Sequence, residues 1–228
     1  GMSAVSTGGN ILHLLTFVAM GFSSAGQVII AREVGMRNND AVKKTIGTLF
    51  TLLFAIALVI SVGCYVFRDP LLQVVNTPAE AYQYTMDYTV ICILGLIFIY
   101  GYNVVSAIMR GMGDSKRPFM FVAIAAVINI VLDIVFVAFL NMEVAGAAWA
   151  TVIGQSFSFI FAMVYLYRHK EGFDFDFQPK SFIPDGKAME KIVALGVPMA
   201  LQSAAISISQ TVVAAWVNSF GLIASAIA

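Results

Sequence analysis

One carboxylate stands out for its surroundings. Asp133 is the only ionisable residue in the apolar run 118–140, which is 23 residues long. At 1.5 Å per residue that run measures roughly 34 Å as a helix, enough to cross a bilayer core. Keeping a carboxylate there costs about 2.5–3.5 kcal/mol on insertion scales. Asn129 lies four residues earlier, on the same helical face and one turn away. An amide stacked on a carboxylate inside a membrane span is suited to hold a cation or a proton, because intramembrane acids commonly line ion pathways. The plainer alternative is a polar pair that joins two helices. An intramembrane enzyme would need a second catalytic group near Asp133. No His-Glu-x-x-His, Gly-x-Ser-x-Gly or paired intramembrane carboxylate is present.

The composition sets the frame around this pair. The chain has 228 residues, 60% hydrophobic and 11% charged, with a mean hydropathy of +0.87. Soluble domains carry about 25% charged residues. The expected class is therefore an all-α polytopic membrane bundle, helical because the apolar runs are long and unbroken. Net charge is zero, which leaves no nucleic-acid footprint. Cys64 and Cys92 both sit in apolar runs and read as buried free thiols without metal spacing. No basic n-region of a signal peptide precedes the first span.

Six spans can be marked, roughly 8–31, 43–66, 81–109, 118–140, 144–167 and 188–219. The first holds His13, read as a bundle-facing hydrogen bonder, and Gln27. The second follows Asn38-Asn39-Asp40, good N-cap residues. Thr77-Pro78-Ala79-Glu80 reads as a capping box with Pro at the first helical position of the third. Arg110-Gly111-Met112-Gly113-Asp114 reads as a helix stop, since neither a strand nor a P-loop pattern accompanies its glycines. Ala147, Thr151 and Gln155, spaced by four, form a small polar stripe that predicts close helix contact. Residues 170–187 have linker composition, with Gly172, Pro179, Pro184 and Gly186, and the Phe173–Phe177 alternation is expected at headgroup level. Pro198 predicts a kink in the sixth span, which is expected to pack less fully than the others.

Twelve of the 13 Lys and Arg fall in the loops on one side, around 32–44, 110–117 and 168–191, and only Arg68 falls on the other. The basic side is expected to be cytoplasmic, with both chain ends outside. Depths follow. Asp133 is eight residues before Asn141, Thr151 eight after Glu143, and Tyr88 eight after Glu80. All three then lie roughly 12 Å below the outer surface. Asn129 is one turn deeper, and a shared polar site becomes geometrically cheap.

Several stretches together resemble the multidrug and toxic compound extrusion (MATE) family. They are Ala31-Arg32-Glu33 onward to Gly35, Arg110-Gly111-Met112-Gly113-Asp114-Ser115-Lys116-Arg117-Pro118, Asn129-Ile130-Val131-Leu132-Asp133, Gly146-Ala147-Ala148-Trp149-Ala150-Thr151, Gly196-Val197-Pro198 and Asn218-Ser219-Phe220-Gly221. The resemblance implies a twelve-helix, two-lobed transporter, of which this chain covers the second to seventh helices. Residues 1–169 would be the N-terminal lobe without its first helix. Residues 170–187 would be the cytoplasmic linker between lobes, and 188–228 the first helix of the C-terminal lobe. Similar starts at Gly1-Met2-Ser3-Ala4 and Gly221-Leu222-Ile223-Ala224 agree with a repeat. The remainder of the same chain is then a partner that the site needs.

The resemblance also implies a coupling-ion site for Na+ or H+ at Asn129, Asp133 and Thr151, with Tyr88 on the preceding helix. A further family Asp falls on the absent first helix. No Asp or Glu occurs after Lys191, which matches a branch that couples through its N-terminal half. The implied function is a secondary antiporter exporting organic, cationic or amphipathic small molecules from a bacterial or archaeal inner membrane. It is not an enzyme and has no cofactor beyond the coupling ion, and its other partner is membrane lipid. Hard oxygen ligands suit Na+, whereas burial of any carboxylate favours its protonated form. The rival reading is a lipid-linked oligosaccharide or polysaccharide flippase of the same superfamily. Such proteins carry more basic residues in the cavity, and here no Lys or Arg lies mid-span.

Overall fold

A computed structural model describes residues 2–69, 82–169, 172 and 175–219, with side chains for all of these except 2–14, 208 and 210–219. The His13 side chain, Phe173 and the 77–80 capping box therefore lie outside what the structure describes. Every extended run of apolar residues becomes a helix: α1 (Met2–Gly35), α2 (Asn39–Val66), α3 (Tyr82–Gly111), α4 (Lys116–Asp133), α5 (Glu143–Arg168) and α6 (Gly186–Ser219). All six are long and apolar enough to cross a membrane, and no strand occurs among the described residues. The protein is an integral membrane helix bundle.

Local chemistry sets the helix ends. Asn38 caps α2 by accepting the Ala41 N–H at 3.1 Å. The Arg110–Asp114 turn is a helix stop of the Schellman type. Asp114 N–H donates to Met109 O at 2.8 Å, Gly113 N–H donates to Arg110 O at 3.0 Å, and Gly113 takes φ +94°. Only a residue without Cβ adopts that φ freely.

The helices form a row of neighbours, α4–α5–α3–α1–α6, with α2 laid across α1, α3 and α6. Central α3 has 67% of its most apolar window buried, whereas α4, at one end of the row, has 6%. The sixth span, expected to be the least packed, has 11%. It exceeds α4 because glycines admit it closely to α1: Gly196 faces the Phe22 ring, and Gly21 faces the Ala200 backbone. Pro198 sits within α6, which continues as one helix. Polar ties hold the core helices in register. Tyr100 Oη donates to Leu15 O at 2.7 Å, and Arg110 Nε donates to Gln27 Oε1 at 2.9 Å.

Two expectations need correction. Phe175 of the linker, expected to sit among headgroups, instead packs inside the protein. It is buried, 2% exposed, in an aromatic cluster with Phe50, Phe177 and Phe182. The segment can enter because Gly47 has no side chain where the Ser181 carbonyl passes, and Thr51 Oγ1 donates to Phe182 O. The second correction concerns the span 118–140. It is not one regular helix, since residues Ile134–Phe139 form a π-helical segment directly after Asp133.

Candidate functional site

Asp133 is the last residue of α4 before the π-helical segment. Wider turns of this kind re-aim the side chains around them and recur at functional sites. The outer face of α4 is apolar and open, with Val127 62% and Ile130 59% exposed. Its other face meets α5. There Gly154 is essential to the approach, since an added Cβ would stand 3.2 Å from Asn129 Cβ and 3.3 Å from Ala125 O. Gly146 plays the same part further along, where a Cβ would lie 3.0 Å from Phe136 Cβ. The contact positions on α5 are therefore its glycines. Beside these contacts, Thr151 and Gln155 of the Ala147–Thr151–Gln155 stripe line a groove.

That groove encloses about 200 Å³ between α4 and α5. Asn129, Thr151, Gln155 and Ser158 supply its polar atoms, and Ala125 and Gly154 keep it open. No charged residue lines it. Thr151 Oγ1 donates to Ala147 O at 2.9 Å, which leaves its lone pairs directed away from the helix. Across from it, α3 brings Tyr88, 5% exposed. The Tyr88 hydroxyl lies within interaction range of the side chains of Thr151, Cys92 and Asp133. Val144 and Ala148 of α5 pack around Tyr88 and Cys92 as a small apolar floor.

Of the four residues read from the sequence, Asn129 and Thr151 meet in the groove, while Tyr88 of α3 and Asp133, one turn beyond Asn129 on α4, lie near it without lining it. Two of their atoms stand out. Asp133 Oδ1 and Asn129 Nδ2 are buried and have no hydrogen-bond partner. A buried polar atom without a partner costs about 1–3 kcal/mol, more when charged, so such atoms call for a ligand. A half-turn of the Asn129 amide exchanges its nitrogen for its oxygen. With that turn, Asp133, Asn129 and Thr151 present hard oxygen donors of the kind that bind Na+. The same unpartnered carboxylate oxygen can instead take a proton. Ser158 was not singled out from sequence, and Cys92 and Gln155 were read there only as a buried thiol and as part of a small polar stripe, not as neighbours of the site. Their only signal is helical spacing, Gln155 and Ser158 one turn apart after Thr151 and Cys92 one turn after Tyr88.

Comparison with known proteins agrees with the fold. Over 230 residues the chain is 29% identical to the probable multidrug resistance protein YoeA of Bacillus subtilis, covering 99% of the chain and 50% of that relative. Over 222 residues it is 26% identical to the multidrug export protein MepA of Staphylococcus haemolyticus, covering 96% of the chain and 48% of that relative. The chain thus spans about half the length of these relatives. Among solved structures, the inward-facing conformation of a multidrug resistance MATE family transporter of the MOP superfamily matches with a TM-score of 0.84. Its identity is 24%, over 90% of this chain and 47% of that one. The outward-facing conformation matches at 0.86 and 23% identity, over 99% and 50%. At these identities the likeness shows the fold. The MatE family model matches residues 1–135, more than half of the sequence, and the chain therefore belongs to the MatE family.

Proposed function

We propose that this chain is part of a secondary antiporter that exports organic, cationic or amphipathic compounds in exchange for Na+ or H+, with Asp133 as the coupling carboxylate. The observation that carries the reading is the pair of buried, unpartnered atoms Asp133 Oδ1 and Asn129 Nδ2, one helical turn apart, with Thr151 in the same groove as Asn129 and Tyr88 nearby. Of the four buried polar atoms left without a partner among the described residues, these two alone belong to a carboxylate and an amide spaced one turn apart, and a carboxylate is the costliest to leave so. Relatives named as multidrug resistance and multidrug export proteins support the export role. The groove beside the site has no Lys or Arg in its lining, which favours cationic or amphipathic cargo over anionic glycolipid. Occupation of Asp133 by the ion or proton would change which partners Asn129, Thr151 and Tyr88 hold. That change biases the lobe between states that bind cargo strongly and weakly.

In this reading residues 1–169 form the N-terminal lobe, 170–187 the linker and 188–228 the first helix of the second lobe. The loops rich in Lys and Arg would face the cytoplasm. The basis is the one-sided distribution of the 13 basic residues.

The test is Asp133→Asn in the full-length transporter, reconstituted in proteoliposomes with an imposed Na+ or pH gradient. Asparagine keeps the size and most of the hydrogen bonding but removes charge and titration. Gradient-driven efflux of a fluorescent organic cation, normalised to protein inserted, should be abolished while insertion and folding persist. Near-normal efflux by Asp133→Asn would show that the residue only joins helices.

A further inference from the structure

At the end of the bundle remote from Asp133, three helices converge on one buried carboxylate. Glu33 of α1 is 2% exposed. Thr45 of α2 donates its hydroxyl to Glu33 Oε2 at 2.7 Å, and Lys191 of α6 donates Nζ to Oε1 at 3.2 Å. The burial of this ion pair is lopsided. The Glu33 side chain is 3% exposed and that of Lys191 is 56% exposed. A cavity of about 200 Å³ lies alongside, and Lys44, Asp185 and Lys187 share its lining with the pair. Lys44 Nζ is 3.7 Å from Asp185, whose carboxylate caps α6 by accepting the Ala188 N–H at 3.0 Å. The Asp185 N–H in turn donates to Thr48 Oγ1 of α2 at 2.9 Å.

A permanent weld between helices would pair a buried acid with an equally buried, two-pronged arginine. Here the cation is a single-point lysine that reaches in from solvent on a flexible stem. It can withdraw with little change in its own hydration. The neighbouring cavity then admits water, or brings in Lys44 or Lys187, so the carboxylate is not left dry and unpaired. The three partners sit on α1, α2 and the first turns of α6, so breaking the contact removes the ionic tie of α6 to α1 at this end and leaves Asp185, at the start of α6, held to α2 by Thr48 and Lys44. The mid-span contact of α6 through Gly21 and Gly196 is untouched.

We propose that Glu33, Thr45 and Lys191 form an ionic clasp that closes the Lys- and Arg-rich end of the bundle and opens during each transport cycle. The proposal rests on the exporter reading but not on the role of Asp133.

The test uses the full-length transporter in proteoliposomes, with ethidium as cargo under an imposed Na+ or pH gradient. Ala188, 5% exposed, is changed to Cys, and its alkylation by N-ethylmaleimide is followed by peptide mass spectrometry, which separates it from Cys64 and Cys92. Alkylation should be slow at rest and about tenfold faster during turnover, the change that loss of a half-exposed ion pair allows. Lys191→Met should bring the resting rate up to the turnover rate. In a second arm, Glu33→Cys and Lys191→Cys are bridged by a cleavable bifunctional thiol reagent. Export should fall at least tenfold and return on reduction. Equal alkylation at rest and in turnover, or undiminished export by the bridged protein, overturns the clasp. Should the double variant fail to fold, the alkylation arm decides alone. If Asp133→Asn exports normally while Ala188→Cys still opens with turnover, the coupling reading fails and the clasp stands. If Asp133→Asn is inactive and Ala188→Cys never opens, the clasp fails alone.

Discussion

Gly47→Ala tests how the segment before α6 is held. Gly47 lies in α2 under the Ser181 carbonyl, and a Cβ there would strike that oxygen far inside van der Waals contact. Backbone on both sides leaves no rotamer to absorb the clash, so the segment must lift. Lifting breaks the Thr51–Phe182 O bond and the Asp185 N–H to Thr48 bond, about 1 kcal/mol each. It also unburies Phe175, 2% exposed, at about 1.5–3 kcal/mol. The helical preference of alanine over glycine returns about 1 kcal/mol. The net is about 2.5–4 kcal/mol, or roughly two to three decades in the opening equilibrium of the segment. Hydrogen exchange of the Asp185 amide in detergent reads that equilibrium. Gly63→Ala in the same helix meets nothing within 4 Å and should leave the exchange unchanged. If Gly47→Ala exchanges within twofold of wild type, the reasoning about this seat is wrong.

Other outcomes follow from the same contacts. Gly154→Ala needs α4 and α5 to yield by a few tenths of an ångström at Asn129; overpacking of about 1–3 kcal/mol less about 1 kcal/mol of helical preference should leave a net loss of at most about 2 kcal/mol of unfolding stability. Gly154→Leu should part the helices and abolish gradient-driven efflux, measured alongside a thermal melt. Asp185 is held below the ordinary aspartate value of 3.8 chiefly by the Ala188 N–H it accepts, with Lys44 adding to the effect. Its folded-state pKa is depressed. Its contribution to holding the start of α6 is therefore present above pH 3.8 and fades as pH falls through the folded value. The protection factor at Ala188, taken against the intrinsic exchange rate at each pH, should fall on acidification in wild type, and Asp185→Asn should flatten that dependence.

Sequence alone determined the class of this protein and the makings of its site. Runs of 20 or more apolar residues have no stable alternative to membrane helices, because every backbone group must be satisfied within the segment. A lone carboxylate in such a run is expensive enough to single out Asp133, and a spacing of four places Asn129 on its face. Span length and counting from the ends also brought Thr151 and Tyr88 to similar depth, since helical rise is constant. The glycine turn after Arg110 and the Asn38 cap were legible because they depend on neighbouring residues only.

Tertiary structure decided what depends on residues far apart in sequence. Whether a stripe of small residues is a contact or a groove wall depends on the partner helix. Gly154 and Gly146 took the contact, and Thr151 and Gln155 were left facing the groove. Whether Phe175 meets lipid or protein depends on Gly47, 128 positions earlier. The π-helical turn after Asp133 carries no local sequence mark, because one added residue per turn is accommodated by packing against α5 rather than by propensity. The pairing of Glu33 with Lys191, 158 residues apart, likewise exists only once α1 and α6 lie side by side.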